Sequence, residues 1–142
     1  MNENESIEFK ENYTEKIYKE IIAFLNTNSG TIYIGYDDNG NLKGVDNCKD
    51  IEEKISNGIR TNIYPDARIF VSINTGKIED KEYIIIKVSK GIDIYYLKEK
   101  GIVKGTYLRT GSCSIPATEE TVKQLIIKNI LLEVIKYWLN WR

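Results

Sequence analysis

The chain has 142 residues, 42% of them hydrophobic, which suits one domain with its own core. Its 20 basic and 21 acidic side chains nearly cancel, so binding to nucleic acid through bulk positive charge is excluded and a local basic face or a phosphate pocket would be required. With no histidine anywhere, Ser-His and Cys-His nucleophilic catalysis, HExxH metalloprotease chemistry and His-ligated zinc are all excluded.

Cys48 and Cys113 form no CxxC pair, which argues against structural zinc. They read as a loop thiol and a buried small residue. Any metal would be a hard ion, magnesium or manganese, held by carboxylates, carbonyls and water. The start MNENESIEFK is acidic and unlike a secretory signal. No run approaches the roughly 18 apolar residues of a membrane span. A cytoplasmic protein without membrane association is expected.

In chain order, Ser6-Ile7-Glu8-Phe9-Lys10 alternates as a half-buried strand does, with Ile7 and Phe9 on one face. Ile17, Ile21, Phe24 and Leu25 predict an amphipathic helix over 13–25. A strand follows over 31–36, then the Asn39-Gly40 signature of a tight hairpin and a short return strand over 42–45. Asp50 caps a predicted second helix with Ile51, Ile55 and Ile59 on its buried stripe, and Pro65 ends that region. Strands are expected over 67–73 and 82–88, flanking a turn at Thr75-Gly76, and a hairpin over 92–108 around Lys98-Glu99-Lys100-Gly101. Thr118, Glu119 and Glu120 start a last helix with Val122, Leu125, Ile126 and Ile130 inward. From 129 to 142 this helix becomes apolar on several sides, which calls for its own sheet, a second copy or a further domain to cover it.

Five motifs in order carry a resemblance. They are Glu3-x-Glu5-Ser6-Ile7-Glu8-Phe9-Lys10; Ala23-Phe24-Leu25-Asn26-Thr27-Asn28-Ser29-Gly30-Thr31; Ile34-Gly35-Tyr36-Asp37-Asp38-x-Gly40; Gly44-Val45; and Tyr107-x-Arg109-x-Gly111-Ser112 before Pro116-Ala117-Thr118. Together they resemble the AlbA-type domain of Schlafen-like proteins, a divergent AAA family of many bacterial transcription-regulator-like proteins. Ser29-Gly30 in place of Gly-Gly, Tyr36 in place of Val and Cys113 after Gly111-Ser112 depart from that pattern. The resemblance implies an α+β fold, a mixed β-sheet with about three packed helices, over residues 1–127. Residues 128–142 are then an apolar helical extension for oligomerisation or for linkage to a missing domain.

For the RNA-cleaving branch of the family, the resemblance implies a divalent-ion site of Glu3, Glu8 and Asp38, with Asp37 and Glu5 as near alternatives. Such a trio would hold Mg2+ or Mn2+ and activate water. Glu3 and Glu8, five positions apart, fall on opposite faces of a straight strand, so a bend near Asn4 is needed. The aspartates equally suit a turn that needs no function. No Gly-Lys-Ser/Thr follows the Asn26–Gly30 loop, so ATP is not expected; that loop reads as a phosphate cradle or as a helix cap with Gly30 or Asn28 left-handed.

Arg109 with Ser112 offers a forked donor beside a turn, suited to phosphate or to pairing with a carboxylate. Lys10 contacts phosphate or neutralises the acids around it. Lys104, with Lys87, Lys90, Lys98 and Lys100, makes a basic face or an ordinary solvated one. The ten tyrosines stack bases or serve as strand residues with a wet hydroxyl. The favoured function is a nucleic-acid-binding regulatory module, for RNA or DNA, acting as a homo-oligomer such as a homodimer. The alternatives are a metal-dependent endoribonuclease and a protein-interaction module.

Overall fold

The computed structural model describes residues 2–141; Met1 and Arg142, the outer ends of the two expected segments, lie outside the described residues. The fold is α+β. Alternation of side chains builds a four-stranded sheet in the order β1-β2-β5-β4, from β1 (Ile7–Lys10), β2 (Gly30–Ile34), β4 (Val71–Ile78) and β5 (Lys81–Val88). β1 runs parallel to β2, with Phe9 opposite Tyr33, and the other pairs are antiparallel, so the sheet is mixed. Helices α1 (Ile17–Asn26) and α2 (Cys48–Asn62) lay Ile17, Ile21, Phe24, Ile55 and Ile59 against Ile32, Ile34, Ile84, Ile86 and Val88, and these residues form the core. Two short sheets complete the fold. β3 (Ile63–Tyr64) pairs with β6 (Tyr96–Leu97), and β7 (Tyr107–Thr110) pairs with β8 (Cys113–Pro116). Between them lies α3 (Gly101–Gly105).

Several expectations change. The return strand over 42–45 reduces to a Tyr36–Leu42 bridge, with Lys43 and Gly44 donating to the Gly35 carbonyl. Residues Arg68–Phe70 form a 3-10 turn, so β4 starts only at Val71 and carries Thr75-Gly76 inside it. The actual turn falls at Glu79 and Asp80, both at positive φ (49° and 68°). The hairpin over 92–108 is absent because Tyr96–Leu97 pairs backwards with β3 and Gly101–Gly105 coils into a helix. Helix α2 begins at Cys48, after Asn47, rather than at Asp50. Cys48 is buried and Cys113 exposed.

Thr118 caps the last helix as expected: its Oγ1 accepts the Thr121 N–H at 3.1 Å. That helix, α4 (Glu119–Trp141), is continuous across the expected 127/128 boundary. Val122 is buried beneath its first turns, while Ile130, Leu131, Ile135, Tyr137 and Leu139 are each more than half exposed. No described helix is long and apolar enough to cross a membrane.

Candidate functional site

A buried polar cluster lies between β1, α1 and the β7–β8 hairpin, and Arg109 is its centre. Alternation along β7 turns Tyr107 and Arg109 inward. The arginine is only 6% exposed. Nη1 donates to Glu8 Oε1 at 3.1 Å, to Glu20 Oε2 at 3.1 Å and to Ser114 Oγ at 3.0 Å. Nη2 donates to the carbonyls of Asn4, at 2.7 Å, and Ile7, at 3.1 Å. Its plane lies over the Phe24 ring at 4.8 Å. The ring has room because position 30 is glycine: a Cβ there would run into Phe24. The Arg109 backbone N–H donates to Thr27 Oγ1 at 3.0 Å. Arg109 Nε is buried without a partner.

One guanidinium faces two buried carboxylates, which leaves a negative charge inside unless a proton is retained. Burial, with hydrogen bonding to Glu8 and repulsion from it, pushes the Glu20 carboxyl up to about 7; Lys10 and the Ser114 hydroxyl pull weakly the other way. Glu20 is therefore the carboxyl that holds a proton near neutrality.

The bend that the sequence requires is present. Asn4 Oδ1 accepts from the Ser6 N–H at 2.8 Å, and Asn4 and Ile7 bridge to each other, folding the chain back. Glu3 is thereby carried alongside β1, where its Oε2 accepts the Phe9 N–H at 3.1 Å. The resemblance's metal trio does not follow from this bend. Glu8 turns inward to Arg109, Glu3 is engaged by backbone, and Asp38 is exposed in the turn after β2. Asp37 closes that turn by accepting from the N–H groups of Asn41 (2.9 Å) and Asn39 (3.0 Å), which hold its carboxyl below the usual range. Among the described residues no three His, Cys, Asp or Glu side chains gather as metal ligands do. The donor set does not fit a divalent ion in this arrangement.

The family model described as Schlafen, AlbA_2 matches residues 3–118. The chain belongs to the Schlafen AlbA_2 family. Among solved structures it is similar to the DIP2311 protein of Corynebacterium diphtheriae, at 17% identity and a TM-score of 0.60, over 80% of this chain and 22% of that one. It is also similar to the N-terminal domain of an ATP-dependent DNA helicase RecG-related protein from Nitrosomonas europaea, at 18% identity and a TM-score of 0.55, over 76% of this chain and 78% of that one. The chain thus spans under a quarter of the first of these. At these identities the likeness is one of fold. No curated protein matches the sequence.

Within this Schlafen AlbA_2 domain, the expected phosphate contacts do not share one surface. Arg109 is corrected from a solvent-facing clamp to a buried tie, because both terminal nitrogens are engaged inside the protein. Ser112 is exposed in the β7–β8 turn beside Asn4, Glu5 and Ser6, and Lys104 is exposed on α3. Lys10 is half-buried, and its charge is felt by Glu20. The Asn26–Gly30 loop is no phosphate cradle. Asn26 Nδ2 donates to the carbonyls of Tyr95, at 2.8 Å, and Tyr107, at 3.0 Å, stapling three segments together. Neither Asn28 nor Gly30 is left-handed; Gly30 is a strand residue kept small for Phe24.

Two features escaped the sequence reading. Glu20 is one; its position three after Ile17 and four before Phe24, on the buried stripe of α1, was the available signal. The other is a cleft of about 370 Å³ where Lys16, just before α1, and Lys19 of α1 meet Lys100, with Glu15 and Glu99 also lining it. Lys19 Nζ sits 5.6 Å from the centre of the Tyr107 ring, and Lys100 Nζ donates to the Tyr107 hydroxyl at 3.5 Å. Nothing local in the sequence joins Lys100 to α1.

Proposed function

We propose that this domain is a nucleic-acid-binding, regulatory module. The observation that carries this reading is the match to the Schlafen AlbA_2 family over residues 3–118, a domain type often related to nucleic acid. The RecG-related neighbour, a protein described by a DNA helicase name, points the same way. Lys16, Lys19 and Lys100 line one cleft, where they outnumber Glu15 and Glu99 and supply the local positive charge that a chain of balanced net charge needs. A labelled single-stranded RNA, a stem-loop RNA and duplex DNA, titrated by anisotropy from 50 mM salt upward, test it. Binding should weaken as salt rises, and replacing Lys16, Lys19 and Lys100 together with glutamine should flatten the slope by about two units on a single strand. Absence of binding to all three probes at low salt overturns the reading.

We further propose that the domain works as a homodimer joined through α4. A helix apolar on several sides, with many of those side chains exposed, needs cover, and a second copy presents the same surface to it. Light scattering on the full chain should give a dimer at micromolar concentration, and Leu131→Asp with Ile135→Asp should give a folded monomer. A parent that is monomeric at high micromolar concentration removes this part of the proposal.

A further inference from the structure

With α1 and α2 packed on one face of the sheet, alternate residues of its strands point to the other. On that face four rings form a continuous cluster. Phe9 lies 5.7 Å from Tyr33 and 6.0 Å from Tyr36, and Tyr36 lies 5.5 Å from Tyr33 and 6.0 Å from Tyr83. Phe9 is only 2% exposed, so it is the floor, while the three tyrosines are half-buried and keep part of each ring at the surface. Tyr83 also reaches over the edge strand: Gly76 lies opposite it, and a Cβ at that position would run into its ring. The aromatic surface therefore spans all four strands.

The charge on this face departs from that of the whole chain. On β5, Lys81 and Lys87 share the face with Tyr83, whereas Glu82 falls on the opposite one. On β1, Glu8 turns inward to Arg109. No strand residue on the ring side is acidic, in a chain with 21 carboxylate residues. A strand face that carries these rings with two lysines and no acidic strand residue fits a ligand with flat apolar faces and a negative backbone. Bases in a duplex are stacked on each other and offer only their edges, whereas a single strand offers their faces.

We propose that the open face of the sheet binds single-stranded nucleic acid, stacking bases on Tyr33, Tyr36 and Tyr83 while Lys81 and Lys87 meet phosphates. This inference rests on the nucleic-acid-binding reading and adds the surface and the strandedness to it.

The test uses the full chain, a fluorescent 12-nucleotide single-stranded RNA, and the same sequence as a duplex. The single strand should bind more tightly. Tyr33→Leu and Tyr83→Leu should each weaken single-strand binding on the order of 10-fold with duplex binding little changed, while Tyr33→Phe, which keeps the ring, should bind like the parent. If the parent binds neither probe, the functional reading falls and this inference with it. If the parent binds but folded Leu variants match it, or the duplex competes equally, only the stacking face is overturned. If the Leu variants lose their thermal transition, photocrosslinking the parent to a thiouridine-bearing strand decides. Adducts on Tyr33, Tyr36 or Tyr83 support the face, and adducts confined to the lysine cleft or to α4 reject it.

Discussion

Arg109→Ala is expected to destabilise the domain by about 3–5 kcal/mol at pH 7.5, the usual cost of removing one partner from a buried ion pair. The loss has an identifiable source. Without the guanidinium, Glu8 and Glu20 face each other in a dry site with the Ser114 hydroxyl as the remaining donor to Glu20. The carbonyls of Asn4 and Ile7 lose their donor as well, which frees the N-terminal turn from the β7–β8 hairpin. For a domain whose total stability is on the order of 5–15 kcal/mol, such a loss leaves little margin. Arg109→Lys should recover only a minor part, because one ammonium cannot reach acceptors on both sides of a planar fork. Adding Glu8→Gln and Glu20→Gln to Arg109→Ala should restore some stability by removing the charges left behind. Urea unfolding of the four proteins measures this. A cost below about 1 kcal/mol for Arg109→Ala would show that the cluster is not the tie its geometry describes.

That role was only half legible in the sequence. The Tyr107-x-Arg109-x-Gly111-Ser112 motif leaves phosphate and carboxylate equally open as partners, and the acids that decide between them lie 89 and 101 residues away. Local patterns served well where the local chain decides the structure. Ile17, Ile21 and Phe24 mark α1 through helical spacing, the β-branched run marks β2, and Thr118 marks the start of α4. They failed where a distant strand decides. Tyr96–Leu97 pairs with β3 instead of folding back on its own hairpin, and β4 begins late because Val71 starts a register set by Val88. The open aromatic face was hidden for a related reason. In Thr31-Ile32-Tyr33-Ile34 both alternating sets are apolar enough to be buried, so the sequence does not say which set meets the helices. The metal trio shows the opposite failure: the motif spacing is present and so is the bend, yet Glu8 is drawn to Arg109 rather than to Glu3.

The stability of the parent should fall as pH rises from 5 to 8, by up to about 3 kcal/mol, and Glu20 should be the cause. Its carboxyl is pushed from an ordinary 4.5 up to about 7, first by burial and then by Glu8. The folded chain therefore holds this proton more tightly than the unfolded chain does. Below pH 4.5 both states carry it and no penalty exists. Between 4.5 and 7 the unfolded chain has lost it and the folded chain has not, so stability declines with pH and levels off above 7; a shift of this size sets the upper bound quoted. The window is unusually clean because the chain has no histidine to titrate across it. Asp37 and Asp66, the carboxyls held low by hydrogen bonds, act only below it. Glu20→Gln keeps the shape, supplies a donor toward Glu8 and removes the titrating proton. Its stability should be nearly flat from pH 5 to 8 and should exceed the parent's at pH 8. Chemical denaturation at half-unit pH steps reads both curves. A parent with flat stability across this range, or a Glu20→Gln protein that keeps the parent's slope, would place the proton elsewhere.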